Sequence, residues 1–189
     1  WLAGMSVVVV LLTASVGLNR TNDVFNEYFD ETFEVRRVND FAMAEMTGMH
    51  RIDYAVPSGE SGGTMEPAYL QHLDALMTWL EQQDEVVYAT SYTNVIKRLN
   101  RDLHGGDPAY YRIPDSRELI SQYTLLYELS LPQGLGLEDQ LDIDKRQARA
   151  IVVLKNIGSK PVLDFNDRVE QWMQDNWPAT MQTRGTGMD

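Results

Sequence analysis

The chain has 189 residues, no cysteine, 28 acidic against 16 basic side chains, and a net charge of −12. Such a charge repels phosphate, which argues against a nucleic-acid partner and against the charged part lying flat on anionic lipid. Without cysteine there is neither a disulfide framework nor a thiolate metal site. The length suits one globular domain, or a pair of small lobes, with enough apolar content for a core.

All of the charge lies beyond residue 18. Residues 1–18 read WLAGMSVVVVLLTASVGL, an apolar run that at about 1.5 Å rise per residue is just long enough to span a bilayer as a helix. It opens at Trp1 without the basic leader that a signal peptide places before its apolar core, so the expectation is a transmembrane helix segment within a longer polypeptide. A cleaved signal peptide is the rival, because Thr13-Ala14-Ser15 has the small residues of a cleavage site. A buried core helix would carry a polar stripe, which only Ser6, Thr13 and Ser15 offer. The sequon Asn19-Arg20-Thr21 sits so close to the membrane that it reads as chance.

Residues 19–48 form a lead-out and short helix. Asn22 to Arg37 alternates acidic and aromatic side chains (Glu27, Tyr28, Phe29, Asp30, Glu31, Phe33) and is expected to be extended. Val38, Ala42, Met46 and Met49 then recur at helical spacing, with Gly48 ending the helix.

Residues 49–92 read as a first β-α-β unit. His50, Ile52, Tyr54 and Val56 alternate with Arg51, Asp53 and Ala55, the period of a half-buried strand, and Pro57 to Gly63 closes it with a flexible loop. Pro67 fits the first turn of a helix striped by Tyr69, Leu70, Leu73, Leu76, Met77 and Leu80. After Gln83-Asp84-Glu85, the run Val86 to Thr90 is strand-like.

Residues 93–146 make a helical insert, because about fifty residues is too long for a plain loop in a compact domain. Thr93 can cap a short basic helix with Val95, Ile96, Leu99 and Leu103 inward and Lys97, Arg98 and Arg101 outward; His104 to Pro108 breaks it. Asp115 and Glu118 form a capping-box-like start for a helix carrying Leu119, Ile120, Tyr123, Leu126 and Tyr127, which Leu131 to Gly136 stops. The insert is expected to be a lobe docked on the core and to add nothing to its sheet.

Residues 147–189 read as a second β-α-β unit. Ala148 to Lys155 is a strand, Ser159 can cap a helix with Val162, Phe165, Val169, Trp172 and Met173, and Ala179 to Thr183 is a final strand. The two helix ends look alike, Trp79-Leu80-Glu81-Gln82-Gln83 against Trp172-Met173-Gln174-Asp175-Asn176. Such a weak internal repeat is what a ferredoxin-like split fold of the α+β class requires.

Residues with catalytic chemistry are scattered. His50, His72 and His104 share no ligand spacing, and no serine sits in a Gly-x-Ser-x-Gly elbow. Gly59 to Gly63 and Gly134 to Gly136 lack the strand, helix and lysine that phosphate binding needs. Asp139 with Asp142, and Glu27 with Glu31, read as solvated faces without the spacing of a calcium loop. No catalytic, cofactor or metal site is expected. Met43, Met46 and Met49 offer an adaptable apolar surface and are the candidate contacts for an amphiphile, in a cleft beside the split sheet.

Three segments carry a family resemblance: Asn22-Asp23 to Tyr28-Phe29-Asp30, then Asp107-Pro108-Ala109-Tyr110-Tyr111-Arg112-Ile113-Pro114, then Gln122 to Pro132. They resemble the large periplasmic loop of RND-superfamily exporters, in the branch related to MmpL and hopanoid-exporter proteins, and the likeness covers essentially the whole chain. The resemblance implies a porter domain of a proton-driven pump in a bacterial inner membrane, with residues 19–189 in the periplasm. It implies as partners the remainder of the same transporter chain and a hydrophobic or amphiphilic substrate such as a lipid, and it allows a homo-oligomer. Intramembrane acidic residues carry the proton relay in such pumps, and residues 1–18 contain none. The alternative is a membrane-anchored sensor or protein-assembly domain that transports nothing; an anchored hydrolase would need a clustered nucleophile and base.

Overall fold

The computed structural model describes residues 30, 32–45, 48, 50–132 and 136–187, together with residues 1, 4–6, 9 and 13. Most of the expected membrane segment, most of the lead-out, and Met46 and Met49 therefore lie outside the described residues. Among the described residues, no helix is long and apolar enough to cross a membrane.

The first helix, α1 (Glu34–Glu45), begins inside the segment expected to be extended. Local polar bonds explain that correction. The Asp30 carboxylate accepts the Thr32 N–H at 2.9 Å, Phe33 N–H bonds to the Asp30 carbonyl at 3.0 Å, and Arg36 pairs with Asp40 one turn on at 2.7 Å. Val38, one of the residues recurring at helical spacing, is 57 % exposed.

Strand β1 (His50–Pro57) buries Ile52, Tyr54 and Val56 and turns Arg51 and Ala55 outward, as its alternation requires. Helix α2 (Pro67–Leu80) starts with proline at its first position and buries the whole expected stripe from Tyr69 to Leu80. Strand β2 (Val86–Ser91) runs directly into α3 (Tyr92–Leu103). The cap is Ser91 and not Thr93: Ser91 Oγ accepts the Thr93 N–H at 3.3 Å, and Asn94 Oδ1 accepts the Ser91 N–H at 3.0 Å. Likewise α4 (Arg117–Ser130) is capped by Ser116, whose Oγ accepts the Leu119 N–H at 3.2 Å, and not by Asp115. In both helices the capping serine sits on extended backbone, from which its hydroxyl reaches the free N–H groups of the first turn. On α4 the inward positions are Ile120, Tyr123 and Thr124, whereas Leu126 is 44 % exposed.

Strand β3 (Gln147–Leu154) leads to α5 (Ser159–Asn176), which buries Val162, Phe165, Val169 and Met173. Its N-cap is Gly158, and Ser159 is the first helical residue. The last strand is displaced from its expected place. Ala179–Met181 forms a 3-10 turn after Pro178 and buries Met181, and strand β4 is the short Gly185–Thr186. Glycine is required there, since a Cβ on Gly185 would lie 2.5 Å from Asn166 Oδ1 and 2.7 Å from Ile52 Cγ2.

The four strands form one antiparallel sheet in the order β2-β3-β1-β4, making the class α+β. Tyr54 stands opposite Ala150 and Ile52 opposite Val152. The strands joined through α2 thus flank β3, and those joined through α5 flank β1. Both helices cover one sheet face, where Tyr54 Oη donates to Asn166 Oδ1 of α5 at 2.9 Å. Tyr69 Oη of α2 donates to the Val56 carbonyl at 2.7 Å and accepts the Ala148 N–H at 3.2 Å, tying α2 to both central strands. Burial, reinforced by the Glu170 carboxylate near Tyr54 and the Asp142 carboxylate near Tyr69, raises both hydroxyl pKa values far above the ordinary phenol value, so both stay neutral donors.

The insert stays outside the four named strands and, among the described residues, pairs its backbone with β3 through a single bridge, Leu141 to Ala148. It is nonetheless not a lobe with its own core. Ile96, Ile113, Ile120, Tyr123, Leu137 and Leu141 belong to the same continuous apolar cluster as the sheet and its helices. Asn100, 3 % exposed, fixes the segment after α3 by donating to the Tyr110 and Arg112 carbonyls at 2.8 and 3.0 Å while accepting from Tyr123 Oη at 3.2 Å.

Candidate functional site: a groove floored by paired tryptophans

A cavity of about 570 Å³ opens where the outer sides of α2 and α5 meet the insert. Its size falls within the range of small-molecule pockets. The floor comes from the matched helix ends that the sequence marks as a repeat. Trp79 and Trp172 stack with ring centroids 5.6 Å apart and planes inclined by 27°. Trp177 meets Trp172 edge-on at 6.1 Å and is itself fixed, its indole N–H donating to the His72 carbonyl at 3.0 Å. Both stacked rings are half-buried, and among the described residues neither indole N–H has a hydrogen-bond acceptor, so each can serve a ligand.

The rim is polar. Gln71, Asp74 and Thr78 come from α2, Gln82 from the turn after it, and Arg112, Ile113 and Asp115 from the insert. Lys97 of α3 pairs with Asp74 and also lies 5.1 Å above the Tyr111 ring, while the Arg101 guanidinium lies 5.6 Å from the same ring. Arg112 pairs with Asp115 at 3.0 Å. The Asp107 to Pro114 segment thus becomes one wall of the groove, held by Asn100 from behind. Chemically the arrangement offers flat apolar plates to hydrocarbon or ring surface and neutralised charges with amides to a polar head.

The expected contacts are not brought to this groove by anything described. Met43 lies on α1 with its side chain outside the described set, and Met46 and Met49 are outside it altogether. The histidines are dispersed: a ring nitrogen of His50 lies 2.7 Å from the Ile157 carbonyl, and that of His104 lies 2.7 Å from the Asn100 carbonyl while its ring stacks on Tyr110. Sequence reasoning missed the groove, although the signal was present in the two tryptophans at equivalent helix ends. Arg112 and Asp115 carried no such signal, since only the fold brings the insert beside α2.

The sheet face opposite α2 and α5 has a different electrostatic character. Arg149 donates to Asp53 through Nε at 3.2 Å and through a terminal nitrogen at 2.8 Å, and Arg51 adds a bond at 3.2 Å. Partial burial alone would raise the Asp53 pKa, but the hydrogen bonds and charge of Arg149, helped by Arg51, outweigh it and hold the carboxyl below its ordinary value. A carboxyl depressed in the folded state stabilises it above the unfolded pKa, near 3.9, and that contribution is lost as pH falls through the folded value. The melting temperature is therefore expected to fall on acidification below about pH 4, and Asp53→Asn is expected to flatten part of that fall. Equal acid sensitivity in the variant would remove Asp53 from the account.

Comparison with family models, with curated proteins and with solved structures finds no match to this chain.

Proposed function

We propose that residues 19–189 are the periplasmic, substrate-conducting porter domain of a proton-driven RND-type exporter in a bacterial inner membrane, held there by residues 1–18. In this reading the fold is the ferredoxin-like split β-α-β porter fold with a helical insert, and the cargo is hydrophobic or amphiphilic, lipids included. The observation that supports it best is the interleaved strand order β2-β3-β1-β4, in which two β-α-β units share one antiparallel sheet with their helices on one face. The groove adds to it. Indole plates hold an acyl chain or ring through contact area without demanding a fixed polar geometry, and the rim at Asp74, Arg112 and Asp115 keeps a headgroup in water. A conducting surface must also release its cargo, which suits a groove held open to solvent. The remainder of the transporter chain would supply the proton relay and move this domain as a rigid body.

The test is transport by the full-length protein in proteoliposomes containing a fluorescent phospholipid analogue. An imposed proton gradient is expected to shift the analogue between leaflets, and a protonophore is expected to abolish the shift. An unchanged leaflet distribution in the gradient, with a single partner protein retained on the purified chain, would overturn this reading in favour of a tethered sensor or assembly domain.

A further inference from the structure

We infer that α1 is an interfacial helix that lays Val35, Val38 and Phe41 on the surface of a zwitterionic lipid bilayer. Its amphipathicity runs in the reverse sense to that of α2. Val35, Val38 and Phe41 follow one another at three-residue spacing, which puts them on one side of the helix, and they are 60, 57 and 63 % exposed. The polar side is the covered one, for the Arg36 side chain, paired with Asp40, keeps only 17 % of its surface. In α2, by contrast, the stripe from Tyr69 to Leu80 is buried. A helix that packs on its own domain turns its apolar stripe inward, so the stripe of α1 serves a surface outside the domain.

Size, place and charge select lipid as that surface. The helix has 12 residues and is about 18 Å long, and its three apolar side chains expose about 300 Å² together, against the about 800 Å² that each partner of a stable protein complex buries. A second copy of the chain is therefore too weakly held there. A bilayer has no such threshold when a second anchor already holds the chain to it. The uncharged run of residues 1–18 is that anchor, and the chain from Leu18 to Val35 reaches at most about 60 Å when extended. The stripe is thus kept within reach of the bilayer at high effective concentration. Glu34 and Arg37 are the other exposed residues of the outward side, and their charges cancel. Arg37, one turn before Phe41, lays its stem along the apolar surface and carries its guanidinium to lipid phosphate. A face without net positive charge, on a chain of −12, fits zwitterionic and not anionic lipid. The inference rests on reading residues 1–18 as a membrane segment; transport plays no part in it.

The chain has no cysteine, so every single-cysteine variant carries one fluorescent label at one known place. The full chain, labelled with a nitrobenzoxadiazole probe at Val35→Cys, Val38→Cys, Phe41→Cys, Asp40→Cys or Val9→Cys, is reconstituted in phosphatidylcholine vesicles, with a nitroxide-bearing phosphatidylcholine as quencher. An interfacial helix sinks its apolar face about 5–10 Å and leaves its far side in water, so the three stripe positions are expected to be quenched at least about threefold more than Asp40→Cys. Iodide in the aqueous phase is expected to give the reverse order. Adding Val38→Asp to the Phe41→Cys variant is expected to bring its lipid quenching down to the Asp40→Cys level, with the Val9→Cys label still quenched in a matching Val38→Asp chain. Equal quenching at stripe positions and Asp40→Cys, with Val9→Cys quenched, would overturn the inference while leaving the membrane segment standing. An unquenched Val9→Cys label would overturn the membrane segment and the inference together. Excimer emission from pyrene on Val38→Cys, without lipid quenching there, would give the stripe to a second copy and overturn the inference.

Discussion

Replacing residues 94–144 by a short polar linker is expected to abolish the cooperative thermal transition and not merely to lower its midpoint. Loop closure does not decide the outcome, since its entropy grows only slowly with length. The conformational entropy of the deleted residues leaves with them, so the cost is what they uncover on the chain that stays. Met65 and Tyr92 lose Thr124, Ala148 loses Leu141, and α2 loses both Ile113 and the Lys97 partner of Asp74. Tyr92 is wholly buried and Met65 nearly so. Uncovering three or four large apolar side chains at about 1.5–3 kcal/mol each removes about 5–12 kcal/mol, comparable with the about 5–15 kcal/mol that holds a whole domain together. Far-ultraviolet and near-ultraviolet dichroism melts of the deletion and the parent chain are the measurement. A single sharp transition retained in the deletion would mean that the insert is a separable lobe after all.

The sequence patterns that carried through to the structure are those written by burial on one face. Tyr69, Leu70, Leu73, Leu76, Met77 and Leu80 mark α2 because one side of a helix faces the sheet, and Ile52, Tyr54 and Val56 mark β1 because one side of a strand does. What failed was written by tertiary context. Ala179 to Thr183 has a composition that suits a strand; Pro178 instead starts a 3-10 turn there, and the pairing with Tyr54 falls on Gly185, where the packed Asn166 and Ile52 leave room for no side chain. Thr124 replaced Leu126 on the inner face of α4 because its hydroxyl reaches Tyr92, a bond invisible to a hydrophobic pattern. The groove was half legible: the tryptophans at matching helix ends were visible as a repeat, but their mutual stacking depends on α2 and α5 lying side by side.

Trp172→Ala is expected to combine a stability loss with the loss of amphiphile capture in the groove. The ring touches Trp79 by stacking and Trp177 by its edge, so truncation leaves a hole under two indoles at once. A fully buried tryptophan costs about 3–5 kcal/mol on truncation to alanine, and a half-buried one about 2–3 kcal/mol. For a chain of this size that lowers the melting temperature by about 4–12 °C. Stability alone does not identify the groove as a binding surface, so the second readout is quenching of tryptophan emission by a brominated phospholipid. Trp79 and Trp172 form the floor of the cavity, and quenching of the parent chain is expected to saturate as lipid fills it. In Trp172→Ala the affinity is expected to fall at least about tenfold, whereas Trp172→Phe keeps a flat ring against Trp79 and is expected to retain most of it. The alanine variant is to be compared at a temperature where it remains folded, which separates capture from melting. If it then binds the phospholipid as tightly as the parent, the tryptophan pair is structural packing between α2 and α5, and the cargo surface lies elsewhere on the chain.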